Sequence, residues 1–442
     1  MSQQSYRHEL IVAMTVPLAI SLVEGGVIGV LAKKAFGVTP LQFAVIMAAP
    51  TAANLTSFVW ARLGRARSKV RSIVVLQAVM LCLIAAIALL PMDTPGGLIL
   101  TMLVVTTRCL LAGVVTLRST VWRHNYARKH RAQVTGRLTL VTSLVFTVAP
   151  LVAYTALDRD PAAFRIVYPA AALLATIGVV AFSRVRVRRE RELLRYERNP
   201  DARPLPHGAA GPIYEYAPNA GVPSALTVLR RDRHFRSYMF FQFILGGAAI
   251  MGETVVVYIV AELTHDRPFD YLTSIALTTA IPMLLATLAL PRWARYLDRV
   301  HIASYRATHA GMLTVIFLIT WLGVSQGSLW IIAVARILIG ISRAGGMLAW
   351  NLGHNDFADR RLVALYMGIH VTLTGVRGVI FPFLGILLLN GWDAASLEWL
   401  GISIPPFGGI GADVLLLCEI PCLISLFGFH MLARSTAAPR KP

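Results

Sequence analysis

Seven ionisable side chains interrupt otherwise apolar stretches: Glu24, Arg108, Glu253, Arg336, Arg343, His370 and Arg377. A charge in such a setting is expensive, so it faces a cavity, pairs with an opposite charge or lies on an ion path. Glu24 and Glu253 stand 229 residues apart and Arg108 and Arg336 stand 228 apart, so one acid and one base recur at nearly the same separation. The chemistry open to a duplicated pair is competition: a solute or a proton displaces one member and changes which arrangement is preferred. The competing reading is two permanent salt bridges that fix helix packing, since either charge alone is costly to bury. Arg343 follows Arg336 by seven residues, which is two helical turns and about 10 Å along one face. His370 precedes Arg377 by the same interval. The position matching Arg377 at an offset of 232 is Val145, so this arginine belongs to one half only and is a candidate for substrate specificity. His370 can titrate near neutral pH, although a neutral imidazole bonded inside the helices is the plainer reading.

The elements that carry these residues follow from composition. A chain of 442 residues that is 56% hydrophobic and 14% charged, with mean hydropathy +0.64, is a polytopic membrane protein. Apolar runs of about 20 residues, the length that crosses hydrocarbon, number twelve: 9–31, 41–61, 72–91, 97–118, 137–157, 163–182, 236–262, 270–290, 305–324, 328–350, 363–390 and 411–433. The net charge of +20 lies in loops, which argues against a nucleic-acid partner. With the N-terminus inside, 33 Lys and Arg fall on the inner side, Arg306 among them at the end of the loop 292–306, five on the outer side (Lys33, Lys34, Arg159, Arg165 and Arg267) and four within spans (Arg108, Arg336, Arg343 and Arg377), completing the 42. The positive-inside rule then puts both termini in the cytoplasm of a plasma (inner) membrane. Only Arg7 and His8 precede a full-length first span, so it reads as an uncleaved helix. Cys82, Cys109, Cys418 and Cys422 all fall in apolar segments without His or Asp company, which predicts buried thiols and no metal site. No cofactor is expected, and no phosphate-binding loop supports ATP drive.

Between the sixth and seventh spans lies a basic run, SRVRVRRERELLRYER, followed by a Pro/Gly-rich linker. Ser224 is placed to cap a short helix leading into span seven. Across this linker further residues repeat in order: Pro50 with Pro282, Trp60 with Trp293, Trp122 with Trp350, and Pro150 with Pro382, at separations of 228 to 233. The chain therefore divides into an N-terminal six-helix bundle (1–182), a cytoplasmic basic and Pro/Gly-rich linker (183–235) and a parallel copy of the bundle (236–442).

With its twelve spans, its repeat and the segment SFVWARLGRAR after span two, the chain resembles the major facilitator superfamily (MFS) over nearly its whole length. In that segment Arg62, Gly64 and Arg65 fit the family's signature loop, whereas Ser57 and Ala61 stand where the family has Gly and Asp. ARYLDRV in the second half offers Asp298 and Arg299 for the same loop, one helical turn out of step with the Trp-Ala-Arg alignment. The resemblance implies an all-α fold with spans one, four, seven and ten lining a central cavity, which places Glu24, Arg108, Glu253 and Arg336 on cavity helices. It also departs from the family's proton-coupled exporters, since Ala149-Pro150 lacks their glycines. The turn NLGHNDFADRR supplies Asp356 with Arg360 or Arg361, which together with Arg62, Asp298 and Arg299 are candidates for an inner gate.

The function expected is secondary active transport of a small polar, anionic or zwitterionic solute by alternating access, with a proton as candidate coupling ion. The small positive excess of span charges favours an anion. Export of amphiphilic compounds is the alternative within transport. A membrane-embedded enzyme is a different class, with HNDFAD at 354–359 its only candidate cluster, and a non-transporting sensor is a third. The partners expected are the small-molecule substrate, a proton and membrane lipid, and the chain is expected to act as a monomer.

Overall fold

The computed structural model describes residues 2–126, 128–198, 224–358, 362–393 and 405–437. Twelve helices are long and apolar enough to cross a membrane: Gln4–Ala35, Pro40–Leu63, Lys69–Leu89, Thr94–Asn125, Val134–Leu157, Pro161–Ser183, Arg233–Leu263, Asp270–Leu297, Ile302–Ser325, Leu329–Asp356, Leu365–Asn390 and Gly411–Thr436, here spans 1 to 12. Helices satisfy every backbone polar group internally, which hydrocarbon demands. Spans 4 and 7 each begin three residues before their apolar stretch, at Thr94 and Arg233, and side chains cap these starts and that of span 10. Asp93 accepts from Gly96 N, Asp232 from Phe235 N and Ser328 from Ile331 N. Ser224 caps the helix Ala225–Arg231 as its sequence predicts, and Asp232 then breaks the chain before span 7.

Buried side chains form two clusters, one drawn almost wholly from residues 12–187 and the other from 228–432. The repeat is visible in packing detail. Gly113 of span 4 leaves no room for a Cβ because the Trp60 indole lies against it, and Gly345 of span 10 meets Trp293 in the same way. The Trp-Ala-Arg register is therefore the structural one. In that register Asp298 and Arg299 fall beyond the repeat, at the exposed end of span 8. With an even number of spans, both chain ends lie on one side, here the terminal side.

The halves meet through close helix approaches. Gly378 and Gly375 of span 11 lie on Thr51 and Leu55 of span 2, while Gly26 and Gly29 of span 1 lie on Thr279 and Val257. Small residues permit such approaches where lipid supplies no hydrophobic drive. Toward the terminal side, span 2 carries exposed Phe58, Val59 and Leu63. The halves are joined by close contacts between spans 2 and 11 and between span 1 and spans 7 and 8.

The basic run after span 6 is not a continuation of that span. The chain turns at Arg189, with φ of 56°, into a separate helix, Glu190–Arg198. Glu197 of this helix bonds Lys69 Nζ at 2.7 Å and Ala66 N at 2.7 Å, and Glu190 accepts from Ser68 Oγ at 2.6 Å. It is strapped to the loop between spans 2 and 3. The Pro/Gly-rich linker itself, 199–223, lies outside the described residues.

Candidate functional site

The duplicated charges do pair. Arg108 Nη1 donates to Glu24 Oε2 at 2.6 Å. Arg336 grips Glu253 with two bonds, Nη1 to Oε2 at 2.9 Å and Nη2 to Oε1 at 2.8 Å, the fork geometry that suits a carboxylate. Each pair sits at an irregularity in a helix. Span 1 is interrupted between helices Ser2–Leu22 and Gly25–Ala35, with Glu24 extended at φ −77°, ψ 139° as the cap of the second. Span 8 contains a π-helical segment, Ala276–Ala280, whose displaced carbonyls are used by Arg336: Nε donates to Leu277 O at 2.8 Å and Nη2 to Thr278 O at 2.9 Å. Non-helical backbone at membrane depth is tolerated where protein groups satisfy it, and such breaks recur at transport sites.

Arg343 completes the second site. Its Nη2 lies 3.7 Å from Glu253 Oε1, and its side chain is 37% exposed against 3% for Arg336. Two arginines thus share one carboxylate, and the outer one is accessible. The first site has one arginine to one glutamate. The described cavity charges therefore sum to one positive in excess, and Arg343 carries it.

Arg377 and His370 lie elsewhere. Arg377 is buried, with Nη1 donating to Gln242 O at 2.8 Å. His370 is fully buried against Trp350, and both its ring nitrogens lack a hydrogen-bond partner, so the expectation of an imidazole bonded among the helices is not met. Among the inner-gate candidates, Arg62, Asp298 and Arg299 are exposed, with no ion pair among the described residues. Asp356 instead caps span 9 by accepting from Ile302 N at 2.9 Å within its own half. Arg360 and Arg361 lie outside the described residues. All four cysteines are free, but Cys82 is exposed on the outside of the bundle and is not a buried thiol.

Three features escaped the sequence reading. Glu9 is fully buried and accepts from Arg118 Nη2 at 3.1 Å, from Tyr126 Oη at 3.0 Å and from the Trp122 indole. Its signal was Trp122, whose polar edge needs a partner when buried. Arg306, assigned to an inner loop by charge counting, is buried inside span 9. Lys33 and Lys34, counted in an outer loop, bridge the halves on the far side. Lys33 Nζ meets Tyr258 Oη at 2.7 Å and Glu262 at 3.0 Å, and Lys34 Nζ meets Asp270 at 3.1 Å and Thr264 Oγ1 at 3.0 Å. Asp158 adds a third crossing by accepting from Tyr271 N at 2.8 Å.

Burial holds the Asp158 carboxyl above its usual range, reinforced by the charge of Asp270, although two backbone N–H groups pull the other way. A carboxyl whose pKa is higher in the sealed form takes up a proton as the seal closes, so acidification favours closure and alkaline conditions loosen it. Far-side accessibility of a reporter thiol is expected to fall as pH drops through the carboxylate range. Asp158→Asn should flatten that response, and an unchanged pH profile in the variant would contradict the assignment.

Two parallel six-helix halves with a duplicated acid–base pair at broken helices have the organisation of a secondary transporter. The chain belongs to the Major Facilitator Superfamily, whose family model matches residues 10–382. No curated protein matches it in sequence. Among solved structures, a variant of the nucleoside transporter NupG superposes with TM-score 0.67 at 12% identity, covering 97% of this chain and 99% of that one. A POT family transporter in complex with 5-aminolevulinic acid gives TM-score 0.65 at 12% identity, covering 98% and 96%. A bacterial homolog of the human lysosomal transporter Spinster, inward-facing and occupied, gives TM-score 0.63 at 13% identity, covering 99% of each chain. These likenesses establish the fold of an integral membrane transporter.

Proposed function

We propose that the chain moves a small, net-anionic polar solute across the plasma (inner) membrane by alternating access, with both termini in the cytoplasm and a proton as coupling ion. The observation that carries this reading is Arg343, an accessible guanidinium beside a carboxylate already held by Arg336. Its charge is not cancelled within the site, so an anion entering from the terminal side finds one free cation in a low-dielectric cleft. Two of the fold neighbours, a nucleoside transporter and a POT family transporter in complex with 5-aminolevulinic acid, handle small polar solutes, which agrees with this size class. With the terminal side cytoplasmic, the crossings at Lys33, Lys34 and Asp158 would serve as the outer gate of that cycle.

A charge-assisted hydrogen bond is worth about 1.5–3 kcal/mol, so Arg343→Gln is expected to raise KM for an anionic solute by about ten- to a hundredfold while the protein stays folded. Uptake into proteoliposomes, screened over radiolabelled carboxylates, nucleosides and short peptides, is the measurement. An Arg343→Gln variant with an unchanged KM for every transported solute sinks the proposal. Proton coupling is tested in the same vesicles, since uptake that ignores an imposed pH gradient removes the proton from the scheme.

A further inference from the structure

The C-terminal half contains a second cationic centre away from the cavity pair. Arg306, on span 9, is 2% exposed; its Nη1 lies 3.2 Å from His309 Nδ1, its guanidinium carbon lies 5.7 Å from the Phe429 ring centre, and its Nε has no partner. Arg377, on span 11, spends one N–H on Gln242 O, and its Nε is likewise unpartnered. Tyr238 Oη, His354 Nδ1 and both nitrogens of His370 are also buried without a partner. Arg306 and Tyr238 face the same Phe429 ring, Arg377 bonds the carbonyl of Gln242 one turn along span 7 from Tyr238, and His370 lies two turns before Arg377 on span 11. The phenol of Tyr238 is enclosed by Phe357 and Phe429, with ring centres 4.9 and 5.8 Å away.

No carboxylate pairs with either arginine among the described residues. The acids of the surrounding elements are engaged elsewhere. Asp356 accepts from Ile302 N, Asp232 from Phe235 N and Tyr366 Oη, and Glu253 holds Arg336. Glu419 of span 12 has an unpartnered Oε1 and no ion pair. Buried polar groups in native proteins are nearly always satisfied, and a buried charge without a counter-charge is among the costliest arrangements known. The same protein shows the alternative at Glu9, a buried charge given three donors. In the C-terminal half the unpartnered buried atoms are the Nε–H groups of Arg306 and Arg377, the hydroxyls of Tyr238 and Ser342, Nδ1 of His354 and both nitrogens of His370, beside the neutral acceptor Gln242 Oε1 and the Glu419 Oε1 already named, so among the described residues the two cationic donors have no anionic acceptor bonded to them. Water, which must donate as well as accept, matches such a set less well than an anion does.

We propose that the C-terminal six helices enclose a small inorganic anion of the halide class, held between spans 7, 9 and 11 by Arg306, Arg377, Tyr238 and His370. The anion neutralises the bundle interior and is distinct from the solute that meets Arg343.

The test uses the full-length protein in detergent, exchanged into sodium gluconate and titrated with sodium chloride or bromide at constant ionic strength while the thermal midpoint is followed. The wild type is expected to show a saturable rise with either halide. Arg377→Gln should lose that rise and, in gluconate, melt no lower than the wild type, because an uncompensated cation has been removed. Arg343→Gln should keep the rise, which separates this centre from the cavity. Should Arg377→Gln fail to fold, Tyr238→Phe removes only a hydroxyl and should shift the halide midpoint to severalfold higher concentration. A wild type indifferent to halide overturns the proposal, as does an equal rise in Arg377→Gln or an unshifted midpoint in Tyr238→Phe.

Discussion

Arg336→Leu is expected to destabilise the C-terminal half by about 3–5 kcal/mol, the range for breaking one side of a buried pair, and to bring transport to background. Four bonds end on this guanidinium, two to Glu253 and two to the carbonyls of Leu277 and Thr278. Removing it leaves the Glu253 carboxylate only the looser 3.7 Å approach of Arg343 and strands two carbonyls at membrane depth. The double variant Arg336→Leu with Glu253→Gln relieves the loosely held charge, so it should recover most of the thermal midpoint without recovering transport. Arg108→Leu should be milder in stability, since Glu24 has a third of its side chain exposed and can be solvated from the cavity. The measurements are a thermal midpoint in detergent and uptake in proteoliposomes. A wild-type transport rate in Arg336→Leu would show that the pair is structural only.

The second large effect is expected at the far-side latch. Lys34 is 2% exposed and its partner Asp270 is 19% exposed, whereas Lys33 faces a Glu262 that is half exposed. Exposed pairs are worth about 0–1 kcal/mol, so Lys33→Met should change little. Lys34→Met leaves a carboxylate beside Asp158, two acids with no cation between them, and the halves should part on that side. A cysteine at Thr279, which packs against Gly26 across the seal, reports this in a background lacking Cys82 and Cys109. Its labelling by an impermeant maleimide is expected to rise more than tenfold in Lys34→Met. Labelling as slow as in the parent would mean that the glycine-lined helix contacts hold the seal unaided.

The twelve spans, their pairing into halves and the partnership of Glu24 with Arg108 and Glu253 with Arg336 were legible because hydropathy and duplicated charge are properties of the chain itself. What stayed hidden depends on contacts across long separations. Lys34 and Asp270 are 236 residues apart, and nothing near either names the other. Charge counting placed Arg306 in a loop because one cation near a span end reads the same whether it snorkels or turns inward. The π-helical segment carries no Pro or Gly that would have marked it. The break at Glu24 was more readable, since Gly25 and Gly26 follow it directly.

That break places the cavity charge and the latch on one short rod. The segment Gly25–Ala35 begins at Glu24, touching Arg108, and ends with the two lysines that close the far side. At about 1.5 Å per residue, an arm of some 15 Å turns a small reorientation at its root into a displacement of several ångströms at its tip. Information about what occupies the centre can thus reach the exit as leverage, carried by a single stiff element and needing no chain of contacts between the two.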